Sequence, residues 1–192
     1  MKIYEEKEFK DIIKKADYIN DIEFHDCIFV NCNIQENNIS DCLFKQCTFK
    51  NCTIINNDFS LTYLSENDFE DCTIIGVSWA ELVNNNHLFS PINSISNCVL
   101  RYNDFYEMKL TDLDFSNCDF TGSIFESCNF TKTSFKKSEF KESTFTSNNL
   151  SLADFRQAKN YFIDPSHNII KQAKFTYPDV LNLLASFNLE IE

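Results

Sequence analysis

Phenylalanine recurs at every fifth position between residues 128 and 145, where CNFTKTSFKKSEFKESTF contains Phe130, Phe135, Phe140 and Phe145. An α-helix turns about 100° per residue, so a step of five would distribute these side chains around the whole helix. A flat β-strand alternates its side chains between two faces, so the same step would leave every second phenylalanine in water. The spacing therefore predicts a chain that turns a corner every five residues and points each large side chain into a common interior.

The same repeat extends through most of the chain, and we call its large apolar residue the centre. Centres twenty residues apart are often identical in the first half, as in Phe29, Phe49 and Phe69. The residue two positions before each centre is usually small or neutral, and all nine cysteines occupy this position. These patterns predict a four-sided β-solenoid whose parallel coils stack at the strand spacing of about 4.8 Å.

The repeat unit resembles the pentapeptide-repeat family in the segments CDFTG, CNFTK, TSFKK, SEFKE and ADFRQ. The resemblance implies an all-β fold, a right-handed quadrilateral β-helix, here with a projecting loop and a short C-terminal helix. We expect an N-terminal cap over residues 1–15 and the β-helix over 16–160, with an interruption or loop around 80–94. Residues 161–192 are expected to form a C-terminal cap and a dimerisation segment.

The sequence gives little support for catalysis or for the binding of a cofactor or a metal. With two glycines the chain has no glycine-rich phosphate loop, and it contains no nucleophile elbow or His-Glu metalloprotease motif. Zinc sites typically use closely spaced pairs such as C-x-x-C, which do not occur here, and the cysteines are explained as small interior side chains. We therefore expect no enzyme activity, no cofactor, no metal and reduced thiols.

The charge distribution points to the outer surface. The net charge is −12, and residues 51–100 contain no lysine or arginine. The acid density of the first half approaches that of duplex DNA, which carries one charge per about 1.7 Å. Direct nucleic-acid binding is therefore disfavoured, whereas a protein that itself binds nucleic acid is a plausible partner; solubility alone is the alternative explanation. Charge clustering selects as candidate contact residues Asp58, Glu66, Asp68, Glu70, Asp71 and Glu81.

A second candidate is the interruption within AELVNNNHLFSPINS. Trp79 and Ile95 are sixteen residues apart, one more than three repeats. Either a projecting loop of about eleven residues or a one-residue bulge would restore the five-residue register. The apolar residues Leu88, Phe89 and Pro91 are expected either to bind a partner or to pack against the coil.

The ending TYPDVLNLLASFNLEIE leaves the repeat and predicts a short helix. Its apolar stripe is formed by Val180, Leu181, Leu184 and Phe187. Such a stripe either covers the last coil, as solenoid ends require, or, as the family resemblance implies, joins two copies of the chain.

More narrowly, the chain is similar to the Qnr-type branch of the family, through NCVLRYNDFYEMKL and the ending ADFRQAKNYFIDPSHNIIKQAKF. This resemblance implies a DNA-mimicking homodimer that binds DNA gyrase or topoisomerase IV and protects it from quinolones or a peptide toxin. The alternative is a structural or interaction solenoid with an unrelated protein partner and no resistance role. We expect a cytoplasmic protein without membrane contact, because no segment has signal-peptide or membrane-span character.

Overall fold

The computed structural model describes residues 1–83, 90–187 and 189. The chain forms a parallel β-solenoid, and the predicted four sides are confirmed because residues twenty positions apart pair in register. In the column of Phe29, Phe49 and Phe69, neighbouring ring centroids lie 4.7 and 4.9 Å apart and the rings are nearly parallel. Identical large residues therefore stack directly on one another along the interior.

We name the four sides A to D in chain order. Side A contains β1 (Lys2–Glu5), β5 (Ile22–His25), β9 (Leu43–Lys45) and β12 (Tyr63–Ser65). Side B contains β2 (Glu8–Lys10), β6 (Ile28–Val30), β10 (Thr48–Lys50), β13 (Asn67–Glu70) and β15 (Ile92–Ser96). Side C contains β3 (Ile13–Lys15), β7 (Asn33–Gln35), β11 (Thr53–Ile55) and β14 (Thr73–Ile75). Side D contains β4 (Tyr18–Asn20), β8 (Asn38–Ser40), β16 (Asp104–Tyr106), β17 (Ile124–Glu126) and β18 (Thr144–Thr146).

Outside these strands, single bridges continue the sides, such as Asp114 to Ser134 on side B. At the start of the chain, the segment expected to be a cap, residues 1–15, forms β1, β2 and β3. Each of these strands pairs in register with the coil that follows. Residues 1–15 thus form part of the first coil of the solenoid.

The corners explain why acidic and amide residues accumulate on the outside. Among the described residues, twenty-eight that are not glycine have a positive φ between 49° and 64°. Most of them lie two positions after a centre, and twelve are Asp or Asn. Asp and Asn enter this left-handed region more easily than other non-glycine residues. A corner therefore favours a carboxylate or an amide and projects it outward, as at Asp11, whose Oδ1 accepts from Asn31 Nδ2 (3.1 Å) of the next coil.

The residue two positions before each centre also links successive coils by hydrogen bonds. Asn67 Oδ1 accepts from the Cys47 N–H (2.9 Å), and Asn67 Nδ2 donates to the Phe44 carbonyl (2.9 Å). Cysteine makes the same two kinds of hydrogen bond more weakly. Cys52 Sγ accepts from the Cys32 N–H (3.4 Å) and donates to the Phe29 carbonyl (3.4 Å). All nine cysteines are buried free thiols. The position therefore selects small residues that can both donate and accept, and filling space is only part of its role.

The interruption lengthens one coil. The Cys72 N–H donates to Cys98 Sγ across 26 residues, whereas the corresponding bond from Cys52 to Cys72 spans 20. Six extra residues are therefore accommodated between Trp79 and Ile95. A β-bulge also occurs here, because Asn67 pairs with Ile92 and Asp68 with Ser94. Ile95 consequently pairs with Phe69 on side B. The chain thus passes from Trp79 on side D, past side A, to Ile95 on side B.

Two short 3-10 helices complete the described chain. The first, Trp79–Leu82, follows side D and buries both of its terminal residues. The second, Asp179–Phe187, buries Leu183. Val180 and Phe175 pack against the same core. The predicted short C-terminal helix is therefore confirmed, and it is of the 3-10 type.

Candidate protein-interaction surface

The acidic residues selected from the sequence do not share one side. Glu66, Asp68, Glu70 and Asp71 lie together on β13 and at the two corners that flank it. Asp58 lies on side D, which is opposite side B, where it bridges to Asn38. Glu81 is exposed on the first 3-10 helix, at the end of side D.

Two of the side B carboxylates are already engaged within the solenoid. Asp68 Oδ1 accepts from Asn93 Nδ2 (2.8 Å) and from the Ser94 hydroxyl, so it holds the segment that follows the interruption. Glu70 Oε2 forms an ion pair with Lys50 Nζ (3.1 Å). These contacts reduce the negative charge that side B offers to a partner.

Side D provides a longer acidic surface. With its two corners it comprises residues 16–21, 36–41, 56–61, 76–81, 102–107, 122–127 and 142–147, which include no lysine or arginine. Three of its carboxylates form ion pairs with lysines from side C: Asp17, Glu36 and Glu142. Among the described residues, seven others form no ion pair: Asp21, Asp41, Asp58, Glu81, Asp104, Glu107 and Glu126. We call these seven residues the side D acids.

The spacing of the side D acids is close to that of phosphates on one DNA strand. They occupy six successive coils, so the first and the last coil lie five steps apart, about 24 Å at about 4.8 Å per coil. One strand of B-DNA carries about seven phosphates over that length, at about 3.4 Å each. Clustering along the sequence missed most of these residues because they are distant in the chain; sorting acids by their position in a twenty-residue coil would have found them.

The C-terminal part of side B carries the opposite charge. The buried Asp154 carboxylate accepts from Arg156 Nη2 (2.7 Å) and lies 3.5 Å from Lys136 Nζ. Its hydrogen bonds with Arg156 lower the pKa of Asp154 to about 2. Lys137 and Lys174 are exposed nearby. The molecule is therefore electrically asymmetric, with its acidic surface on side D.

The apolar candidates fall into three groups. Leu88 and Phe89 lie outside the described residues. Pro91 is buried, and its carbonyl accepts from the Asn67 N–H (3.1 Å), so this part of the expected loop tip belongs to the body of the solenoid. In the C-terminal helix Leu181 and Phe187 are exposed, whereas the other two stripe residues, Val180 and Leu184, are half-buried.

The interior of the described solenoid is closely filled by its centres. An apolar cavity of about 40 Å³ lies between the centres of the first half, far below the several hundred Å³ typical of ligand pockets. Within the described part of the chain, no group of three His, Cys, Asp or Glu residues is placed to hold a metal ion. The described helices include none that is both long enough and apolar enough to span a membrane.

Comparison with known proteins places this solenoid in a family. A model of the pentapeptide repeat region matches residues 22–93, and a model of pentapeptide repeats matches residues 95–126 and 123–159. The chain belongs to the pentapeptide-repeat family. No curated protein sequence matches it.

Solved structures extend the comparison. The structure of full-length QnrB1, a plasmid-mediated fluoroquinolone resistance protein, superposes with a TM-score of 0.60 at 13% identity, covering 97% of this chain and 100% of QnrB1. Two trypsin-treated QnrB1 variants give TM-scores of 0.53 and 0.52 at 14% and 13% identity. These alignments cover 100% and 97% of this chain and 99% of each variant. The chain thus has a Qnr-like repeat fold.

Proposed function

We propose that this protein binds a type II topoisomerase, DNA gyrase or topoisomerase IV, and protects it from quinolones or a peptide toxin. The side D acids would occupy part of the enzyme's DNA-binding surface in place of one strand of duplex DNA. The observation that carries the proposal is the run of seven carboxylates that, among the described residues, form no ion pair, along a side whose sequence includes no lysine or arginine. Such a surface attracts cationic proteins and repels nucleic acid. The role is non-catalytic and cytoplasmic.

The Qnr-like fold adds support, since QnrB1 is a fluoroquinolone resistance protein. At 13% identity this likeness concerns the fold, and fold alone does not establish function. The charged surface must therefore supply the specific argument. The alternative, a solenoid that binds an unrelated protein, would use the same side D acids but would leave topoisomerase activity unchanged.

The first test is DNA supercoiling by purified bacterial gyrase in the presence of ciprofloxacin, with this protein added from sub-stoichiometric amounts to excess. We expect supercoiling to recover at protein concentrations comparable to that of the enzyme. Absence of both rescue and inhibition at excess protein would contradict the proposal and favour the unrelated partner.

Two triple variants with the same change in net charge identify the contact side. The side D variant carries Asp58→Asn, Asp104→Asn and Glu126→Gln, and it should lose most of the protection. The side B variant carries Glu66→Gln, Glu70→Gln and Asp71→Asn, and it should retain protection. If only the side B variant lost protection, the enzyme would contact side B instead.

The interruption is the second element of the proposal. Deleting residues 84–89 removes six residues and restores the twenty-residue separation of the neighbouring coils. We expect the shortened protein to fold, because the stacked columns on both sides keep their register, and to lose protection if Leu88 and Phe89 contact the enzyme. Full protection by the shortened protein would remove the interruption from the mechanism.

The C-terminal helix is the proposed dimer contact, through Val180, Leu181, Leu184 and Phe187. Leu181 and Phe187 leave apolar surface exposed beside the last coil, and burial of such surface drives association. Sedimentation should show a dimer at micromolar concentration, and Leu181→Asp should convert it to a monomer. A monomeric wild-type protein would contradict this contact.

A further inference from the structure

An exposed apolar patch interrupts the acidic surface of side D. Tyr102, Tyr106 and Ile124 are 59%, 47% and 44% exposed. Ile124 pairs with Asp104 in the parallel register of β16 and β17, which places it diagonally next to Tyr106. Diagonal neighbours on a sheet are within reach of an aromatic side chain.

Tyr102 completes the patch from the preceding corner. Its backbone has φ +56°, which is unusual for a bulky residue. Its ring covers Gly122, two residues before Ile124, and a Cβ at Gly122 would approach ring atoms of Tyr102 to 2.5 Å. The glycine leaves the space in which this ring lies, so the backbone conformation and the missing side chain together support an aromatic surface at this corner.

Carboxylates surround the patch. Asp104 and Glu107 flank Tyr106 in the chain, and Glu126 pairs with Tyr106 across β16 and β17. Tyr106 donates a hydrogen bond to the Glu107 carboxylate, and this bond raises the pKa of Tyr106. An arginine side chain matches this arrangement, because its guanidinium can stack on an aromatic ring while it donates to carboxylates.

We propose that Tyr102, Tyr106 and Ile124 anchor an arginine-bearing, positively charged surface of the protein partner. This inference rests on the proposed topoisomerase partner and adds a contact that DNA mimicry alone does not supply. Tyrosines within an interface frequently dominate its binding energy, whereas the charged rim mainly controls association rate and specificity. The patch would thus give the protein an affinity for its partner that does not depend on charge alone.

The test is the affinity of purified bacterial gyrase for the full-length protein and its variants, measured by biolayer interferometry. Replacing both Tyr102 and Tyr106 with alanine should weaken binding by on the order of 30-fold, the effect of one strong hot spot. Replacing both with phenylalanine should change it less than about threefold, because the rings remain. Tyr18→Ala is the matched control, since Tyr18 is 80% exposed on side D but far from the patch.

Ile124→Lys provides a second variant that keeps both tyrosines in place. It introduces a positive charge at the centre of the patch and should weaken binding by at least about tenfold, because like charges at an interface repel. Equal affinity of the wild type, the double alanine variant and Ile124→Lys would overturn the patch while leaving the topoisomerase proposal intact. No binding by the wild type would overturn both.

Discussion

Replacement of Asn67 by alanine tests how the coils are joined. Asn67 is fully buried; it accepts from the Cys47 N–H (2.9 Å) and donates to the carbonyls of Phe44 (2.9 Å) and Pro91 (3.3 Å). Alanine leaves the Cys47 N–H without its partner and weakens the bonding of the Phe44 carbonyl. A buried group that loses its partner costs about 1–3 kcal/mol, so the free energy of unfolding should fall by about 2–4 kcal/mol.

Urea unfolding followed by the fluorescence of Trp79, the single tryptophan, measures this loss. Asn67→Thr should recover about half of it, because Thr62 performs the same two tasks in the preceding repeat, accepting from Cys42 and donating to Ile39. Asn20→Ala is the control on an exposed strand and should change stability by less than about 0.5 kcal/mol. If Asn67→Ala were as stable as this control, side-chain bonds between coils would not contribute to the fold.

Two further predictions concern buried titratable groups. Because the pKa of Asp154 is lowered to about 2 in the folded protein, its contacts should stabilise the fold above pH of about 4 and lose that effect as the pH falls towards 2, a difference of about 2 kcal/mol at most. Urea unfolding between pH 7 and pH 2.5 should show a slope that is smaller in Asp154→Asn than in the wild type, and an unchanged slope in Asp154→Asn would contradict the assignment. Burial also raises the pKa of the Cys47 and Cys118 thiols to about 12, so native protein at pH 8 should react slowly with a thiol reagent and denatured protein should release nine thiols. Rapid reaction of several thiols in the native state would show that the interior opens readily.

The Qnr-like fold does not by itself determine which partner the protein binds, and this has a physical reason. Repeats of the same shape stack whatever side chains they carry outward, so the interior fixes the solenoid and leaves the outside free to vary. In this chain the interior columns are apolar and closely stacked, whereas sides B and D differ in charge. Function is therefore expected to depend on a few outward positions, of which Asp58, Asp104 and Glu126 are the most direct to test.

The local repeat could be predicted from the sequence alone because it depends on a short stretch of backbone. A large residue every fifth position and identical centres at Phe29, Phe49 and Phe69 were sufficient for a four-sided coil. The cysteines were correctly assigned to the interior for the same reason. Their hydrogen bonds to the adjacent coil were not predicted, because those bonds join residues about twenty positions apart.

Only the tertiary structure showed which residues of different coils become neighbours. The acids Glu66 to Asp71 are close in sequence, yet Asp58 lies on the opposite side, and Asp21 joins Glu126 in one surface although more than a hundred residues separate them. Which residues become neighbours depends on how many residues each coil contains, and one coil contains six more than the others. The five-residue repeat thus determined the solenoid, whereas its stacking determined the acidic side and the tyrosine patch.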